Sequence, residues 1–582
     1  MTSTPQRYVI IGGVAGGMSA ATRLRRLDEQ AEIVVLERSG YVSFANCGLP
    51  YHVGGVIEDR ADLLLQTPAS LDDRFALDVR TRHEAVSIDR DRQVVLARDL
   101  ETGNEYELGY DALVLSPGAR PVRPPIPGIE RALSLRDIED TDAMISAVGR
   151  ARTAVIIGGG FIGVEMAENL VHRGLRVTLV EAADQVMTPL DPEMVAPVHA
   201  LLRDRGVDLR LGAGVAAIGG DDVTLTDGSK IPADLVVAAI GVRPETALAE
   251  QAGLAIGPRG GILVDDELRT SDPHIRAVGD AVEKHDALTH DPALVPLANT
   301  ANLQGRMVAD LITGRSVRVR GVNGTAILGV FGLQVATTGW NEKRLRAADL
   351  PHRVLHVHPG SHAGYYPGAE QMALKLLVEP GTDRILGAQG VGRDGIDKRI
   401  DVIATAMAGG LTASDLASLE LAYSPQFGSA KDPVNMLGYL ADNAELGLSR
   451  TVQWHELAAE MAAGATLVDV RTAAEHAAGP IPGALTIPLD ELRDRLGEIP
   501  PGPVIVHCQV GLRGHTAARL LTQHGFDVRN LDGGYRTWSA GTGCSAQSES
   551  SSTASASTAS AVSSGTAHTL RGEPVPVPSL RA

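Results

Sequence analysis

Cys47 lies in the stretch 41–55, YVSFANCGLPYHVGG, with no second cysteine close to it in the chain. A cysteine does redox or nucleophilic chemistry as the thiolate, which needs a helix N-terminus, a positive charge or an electron-accepting group beside it. A dithiol centre of the C-x-x-C or C-x4-C type is excluded locally, so any disulfide that Cys47 forms is with a substrate thiol or a distant cysteine. Alone, such a residue reads more readily as a packed structural cysteine, since free cysteine is among the most buried residue types. Its surroundings decide. The other two cysteines are Cys508, which opens the loop CQVGLRG after the apolar run VIV-H, and Cys544 near the start of a serine-rich tract.

The elements before Cys47 are a strand ending at Ile11, the turn GGVAGG, a helical pattern MSAATRLRRL and a second strand IVVLE ending at Glu37. Glycines let a backbone approach a pyrophosphate at a helix N-terminus, and an acid about twenty residues on takes a ribose hydroxyl. In this copy the middle glycine of G-x-G-x-x-G is Val14. A second copy, TAVIIGGGFIG, has Gly158, Gly160 and Gly163 at full spacing, then Glu165 on the helix and a strand VTLVE that ends at Glu181. Two such units imply two nucleotides. An acid at Glu181 repels a 2′-phosphate and favours NADH; Arg176 pulls the other way and keeps NADPH as the alternative. The stretches YDALVLSPGARP and HIRAVGDA read as strands delivering tight turns to a ligand, and DLVVAAIGVRPE returns the chain to the first unit. Asp280 after Gly279 suits a polyol hydroxyl, or else an ordinary helix cap.

At 582 residues the chain divides into three or four domains. A net charge of −18 with 3% aromatic residues argues against a nucleic-acid partner. Three cysteines are no disulfide framework. With no run approaching a membrane span and a strand-like start, the expectation is a soluble cytoplasmic protein without a membrane partner. No metal-ligating constellation is read.

These residues resemble the flavin-dependent pyridine nucleotide-disulfide oxidoreductases, and within them the coenzyme A disulfide reductases, over roughly residues 8–440; SFANCGLPY is the most specific part. The resemblance implies an α/β chain of two interleaved Rossmann-like domains: an FAD-binding domain (1–115 and 245–321) and an NAD(P)H-binding domain (116–244). An α+β dimerisation domain (322–445) follows. It implies FAD held by Gly12, Gly13, Gly16, Gly17, Glu37, Arg38, Ser116, Pro117, Gly118, Asp280 and Ala298. NADH would be held by Gly158, Gly160, Gly163, Glu181 and Gly241, and a single redox cysteine, Cys47, would lie against the flavin. Tyr365 and Tyr423 match two tyrosines that a homodimer sends into its partner's cysteine site. Ser19, Arg23, Arg26, Ser43, Asn46, Asn302 and Lys431 stand at positions for coenzyme A, as substrate or bound ligand. The match is uneven: Phe75 aligns with a basic residue of the family, and Asn302 replaces a histidine.

From about residue 452 the chain restarts. LVDVR, HAAGPIPGALTIP, VIVHCQVGLRG, a helical TAARLLTQHG and LDGGYRTW make a small α/β unit. Backbone N–H groups in the loop after Cys508 can form an anion nest that stabilises a thiolate or persulfide. This stretch resembles a rhodanese domain (452–541). Cys508 and Arg513 enclose four residues, whereas cysteine-based phosphatases of this architecture enclose five; the shorter loop suits sulfane sulfur. Gly514 stands where a serine is common, which points to poor turnover of thiosulfate. The small polar residues of 542–582 cannot bury enough apolar surface to order and are expected to be a disordered tail.

The expected activity is NADH-dependent reduction of coenzyme A disulfide, coenzyme A persulfide or polysulfide through Cys47, with a sulfane-sulfur donor serving Cys508. One alternative is an NADH oxidase or peroxidase cycling Cys47 as sulfenic acid; against it, Ala15 stands where related peroxidases carry a histidine. Another is a persulfide carrier or redox sensor without turnover.

Overall fold

The computed structural model describes residues 5–544. From residue 545 onward the expected tail lies outside the described residues. The last described helix, Gly534–Thr542, runs one residue beyond the expected end of the sulfur domain.

Strands Arg7–Ile11 and Glu32–Glu37 are buried almost end to end, because both faces of their parallel sheet are covered, one by helices Ala15–Leu27 and Ala298–Ile312 and the other chiefly by the antiparallel strands His83–Asp89, Val94–Asp99 and Glu105–Gly109, which leaves no side for polar residues. The sheet runs Ile275–Ala277, Ala112–Leu115, Arg7–Ile11, Glu32–Glu37, Asp78–Thr81, all parallel. Its first strand arrives only after the chain has built a second parallel sheet, Asp208–Arg210, Arg176–Val180, Thr153–Ile157, Leu235–Ala238. The two nucleotide units are therefore interleaved.

The third sheet is antiparallel, in the order Ala326–Val330, Leu333–Gly339, Ile385–Gly392, Ala373–Val378, Arg353–Val357. Leu374, Leu376 and Val378 pack with Ile396, Ile400 and Ile403 of helix Ile396–Gly409 and with Val434 and Leu437 of helix Pro433–Glu445. Alternation then sends Lys375 to the opposite face, where it is fully buried among Glu193 at 2.5 Å, Glu342 at 2.6 Å and Asp191 at 2.9 Å. A buried ammonium is tolerated only with such partners.

The fourth sheet, Thr451–Val452, Val528–Leu531, Val504–His507, Thr466–Asp469, Leu485–Thr486, is again parallel. Helix Gly534–Thr542 lies against helix Pro192–Asp204 of the second nucleotide unit. Among the described residues no helix is long and apolar enough to cross a membrane.

Candidate active sites

A cleft of about 410 Å³ opens at the C-terminal ends of the first sheet, lined by Gly12, Gly13, Gly16, Glu37, Arg38, Ser116, Pro117, Gly118 and Asp280. Gly12 takes φ +100°, and a Cβ there would lie 2.1 Å from the Ser116 carbonyl oxygen; on Gly17 it would lie 1.8 Å from the Gly12 carbonyl oxygen. The chain path thus demands glycine at both. Val14 has φ −109° and ψ −132°, outside the left-handed region, so this position carries no positive-φ demand for the missing middle glycine. Glu37 accepts the N–H groups of Gly13 (2.8 Å) and Ser39 (2.9 Å), closing the turn from the next strand.

These residues fit a flavin dinucleotide. Asp280 sits in a 3-10 turn, makes no capping bond, and its buried Oδ1 has no hydrogen-bond partner, an acceptor of the kind a ligand hydroxyl satisfies. Burial pushes its carboxyl up, opposed by Lys284 and Arg136. Ala298 is the first residue of helix Ala298–Ile312, and Ala301, nearly one turn on, lines the cleft. Sequence reading missed Arg136, whose Nη2 donates to the Pro117 carbonyl at 3.2 Å; no motif announces it.

The second unit repeats this geometry. Gly158 takes φ +104°, a Cβ on Gly163 would lie 1.9 Å from the Gly158 carbonyl oxygen, and Glu181 accepts from Gly159 N–H (2.6 Å) and Ala183 N–H (2.8 Å). The Cβ positions of Gly160 and Gly241 (φ +98°) meet open space, so backbone can approach a ligand there. Arg176 begins the strand that leads to Glu181, about 16 Å of extended chain away.

Cys47 belongs to the 3-10 turn Asn46–Gly48, between the two units. Ser43 (φ +47°) donates its N–H to the Gly13 carbonyl at 2.8 Å, tying the loop to the first unit. Leu49 and Val53 of helix Leu49–Gly54 pack with Val164 and Ala167 of helix Phe161–His172, tying it to the second. The Cys47 side chain is exposed, and its Sγ lies 3.7 Å from the Asn46 Oδ1. The protein alone does not make the thiolate the sequence asks for: partial burial, then Glu165, then Asp280 push this thiol up. The electron-accepting group must come from the bound cofactor. Glu165 itself is lifted to about 7 by burial, and the Tyr51 hydroxyl donates to it at 3.2 Å.

Of the positions expected to contact coenzyme A, Ser19 and Asn302 come together, the Ser19 hydroxyl donating to Asn302 Oδ1 at 2.6 Å. Arg26 and Lys431 are exposed, and Asn46 reaches the cleft beside Cys47. Arg23 pairs with Asp310, largely buried on the facing helix, at 2.7 Å. Tyr365 and Tyr423, 58 residues apart, place their hydroxyls 2.7 Å from each other on an exposed face.

In the sulfur domain Cys508 is fully buried where strand Val504–His507 ends, and the Gly511 N–H donates to its Sγ at 3.2 Å. Gly511 (φ +92°) opens helix Leu512–Gln523. Arg513 is held by Glu475 through two bonds, of 2.8 and 2.6 Å, and that carboxylate falls to about 2 as a result. Gly514 has a structural reason: a Cβ there would lie 2.2 Å from Asn530 Oδ1, and Asn530 donates to the Gly511 carbonyl at 3.1 Å. The amide fills the space a serine would need. Cys544 is exposed beyond the last helix.

The pyridine nucleotide-disulphide oxidoreductase model matches residues 6–305. The chain belongs to that family. The family's dimerisation domain matches 325–433 and a rhodanese-like domain 453–541, so this is an FAD-dependent oxidoreductase with a fused rhodanese domain. It is 35% identical to the coenzyme A disulfide reductase of Staphylococcus aureus over 75% of this chain and 99% of that one. Two solved structures include the sulfur domain in the match. The reduced CoADR-RHD of Bacillus anthracis is 49% identical, with a TM-score of 0.91 over 93% of this chain and 98% of that one. The NAD-dependent persulfide reductase of A. fulgidus is 39% identical, with a TM-score of 0.86 over 92% and 100%.

Proposed function

We propose that this oxidoreductase uses NADH to reduce coenzyme A disulfide, coenzyme A persulfide or polysulfide at Cys47, and that Cys508 collects the sulfane sulfur it works on. The observation that carries the reading is one exposed cysteine, without a partner cysteine, on a loop pinned between two dinucleotide turns. The names of the similar reductases from S. aureus and A. fulgidus support the same substrate classes.

Bound FAD would supply a two-electron relay from NADH to the sulfur at Cys47, held by the glycines, Glu37 and Asp280 described above. The Cys47 thiolate attacks the outer sulfur of R–S–S–R′, the S–S bond breaks and R′S⁻ leaves. Rate then depends on thiolate fraction and on the leaving thiol. Tyr365 and Tyr423, presented by the partner of a homodimer, donate a proton to that thiolate. Two electrons and a second proton release RSH, so that NADH, H⁺ and RSSR′ give NAD⁺, RSH and R′SH; a persulfide gives RSH and hydrogen sulfide. Coenzyme A would be met by Ser19, Arg23, Arg26, Ser43, Asn46, Asn302 and Lys431. Coenzyme A persulfide would carry sulfur between Cys508 and Cys47.

Cys47→Ser should keep NADH-dependent bleaching of the flavin and lose at least about a hundredfold of steady NADH consumption with coenzyme A disulfide or persulfide. Equal consumption with dioxygen alone, by wild type and in the absence of any disulfide, would overturn the reading in favour of an oxidase.

A further inference from the structure

The turn that closes the Cys508 loop is anchored in another domain. Tyr535 N–H donates to the Cys508 carbonyl at 2.8 Å and Arg536 N–H to the Gln509 carbonyl at 3.1 Å. Gly533 and Gly534 have φ +66° and +63°, and a Cβ on Gly534 would lie 2.4 Å from the Cys508 carbonyl oxygen and 2.8 Å from the Gly511 nitrogen. Backbone therefore presses directly on the loop that surrounds the sulfur. The preceding residue, Asp532, is buried and bonds out of its own domain: its Oδ2 meets His356 Nδ1 at 2.7 Å, and its Oδ1 accepts the His356 backbone N–H at 3.3 Å.

His356 stands on strand Arg353–Val357 of the antiparallel sheet and is itself held from behind, its Nε2 3.1 Å from Glu193 Oε1 on helix Pro192–Asp204. Both ring nitrogens face carboxylates, so both donate and the ring carries a proton. Glu193 in turn binds Lys375. Beside this chain His358 Nε2 meets the Thr537 hydroxyl at 2.8 Å, and Gln453 donates to Asp532 at 3.2 Å. All four ionic members are buried, where removing one partner leaves an uncompensated charge. The path from the nucleotide domain to Cys508 is continuous.

We propose that His356 is a positioning residue of the sulfurtransferase site, so that the reductase body forms part of the scaffold of the Cys508 loop. The proposal rests on the reading of Cys508 as the sulfane-sulfur acceptor. It extends that reading: the sulfur domain works docked, and sulfur leaves on a small carrier rather than by release of the domain.

The test uses full-length, FAD-loaded enzyme carrying His356→Gln or, as a variant whose side chain makes its hydrogen bonds outside the sulfur domain, Glu193→Gln. Three quantities are measured: sulfur transfer from thiosulfate to cyanide, the rate at which iodoacetamide alkylates the Cys508 peptide, and NADH consumption with coenzyme A disulfide. His356→Gln should lower the transfer kcat about tenfold or more with KM within about twofold, since a loop displaced by an ångström costs that much or more. Cys508 alkylation should rise at least about fivefold, while the reductase rate stays at the wild-type level. Glu193→Gln should move both sulfur readouts the same way by less, and it decides the matter if His356→Gln does not fold. Wild-type transfer and alkylation in both variants, or a parallel loss of reductase activity, would overturn the proposal. If wild type transfers no sulfur from any donor, the sulfurtransferase reading fails, and the alkylation rates still decide whether His356 orders the loop.

Discussion

Cys47 and Glu165 oppose each other's charge. Glu165 lies among the groups that push the thiol up, and its own carboxyl is lifted to about 7 by burial, against the Tyr51 hydroxyl and with Glu168. Native Glu165 holds its proton more tightly than an unfolded glutamate, so its contribution to stability falls as pH rises from about 4.5 to about 7. Glu165→Gln should therefore melt higher than wild type above pH 7 and no higher near pH 4, by thermal denaturation of the loaded enzyme. It should also shift the pH midpoint of Cys47 alkylation downward, because one of the negative charges that push the thiol up is removed. An unmoved midpoint would mean that the carboxylate does not reach the sulfur. At this scale Cys47 is legible because SFANC is contiguous, whereas the Tyr51–Glu165 bond joins residues 114 apart and has no local pattern.

The glycine turns are elements whose sequence and geometry agree. Their acids lie 24 and 22 residues downstream, within one strand–helix–strand unit, which is why Glu37 and Glu181 can be picked from the chain. The two turns should fail separately. Gly17→Ala puts a methyl against the Gly12 carbonyl and should cost FAD retention, measured by flavin absorbance after gel filtration. Gly163→Ala does the same at Gly158 and should raise the KM for NADH about tenfold or more while flavin stays bound. Loss of flavin from Gly163→Ala would show that the two units do not bind independently. Ala301 shows the limit of this legibility, since which turns of a helix face a cleft depends on how that helix docks. Gly514 shows another: it lies in helix Leu512–Gln523, and its partner Asn530 comes from the strand that follows.

Across the whole molecule the domains are joined by charge. Burial would push the His356 imidazole down, but Asp532 and Glu193 more than reverse this and raise it to about 9, with Lys375 opposing. His358 alongside is driven down, to about 3, by burial and by His356. A histidine raised from 6.5 to about 9 contributes stability that is full below pH 6.5 and is lost as pH climbs through 9. Limited proteolysis between the third and fourth sheets should accelerate between pH 7 and pH 10 in wild type, and Asp532→Asn should cleave at the fast rate throughout. A wild-type rate flat across that range would exclude the imidazolium as the tie. Nothing in the sequence marks this contact, for His356 and Asp532 are 176 residues apart, one an ordinary polar residue within a strand and the other just after one.

Lys375 brings a different consequence into view. Asp191, Glu193 and Glu342 converge closely enough to cage a divalent cation, and a side chain of the protein already occupies the middle. The junction should therefore be indifferent to chelators, with the same melting temperature in EDTA as in calcium or manganese. Lys375→Met would leave three buried carboxylates around a vacancy. The loss in melting temperature should then be partly restored by millimolar calcium or manganese, turning a covalently tethered counter-ion into an exchangeable one.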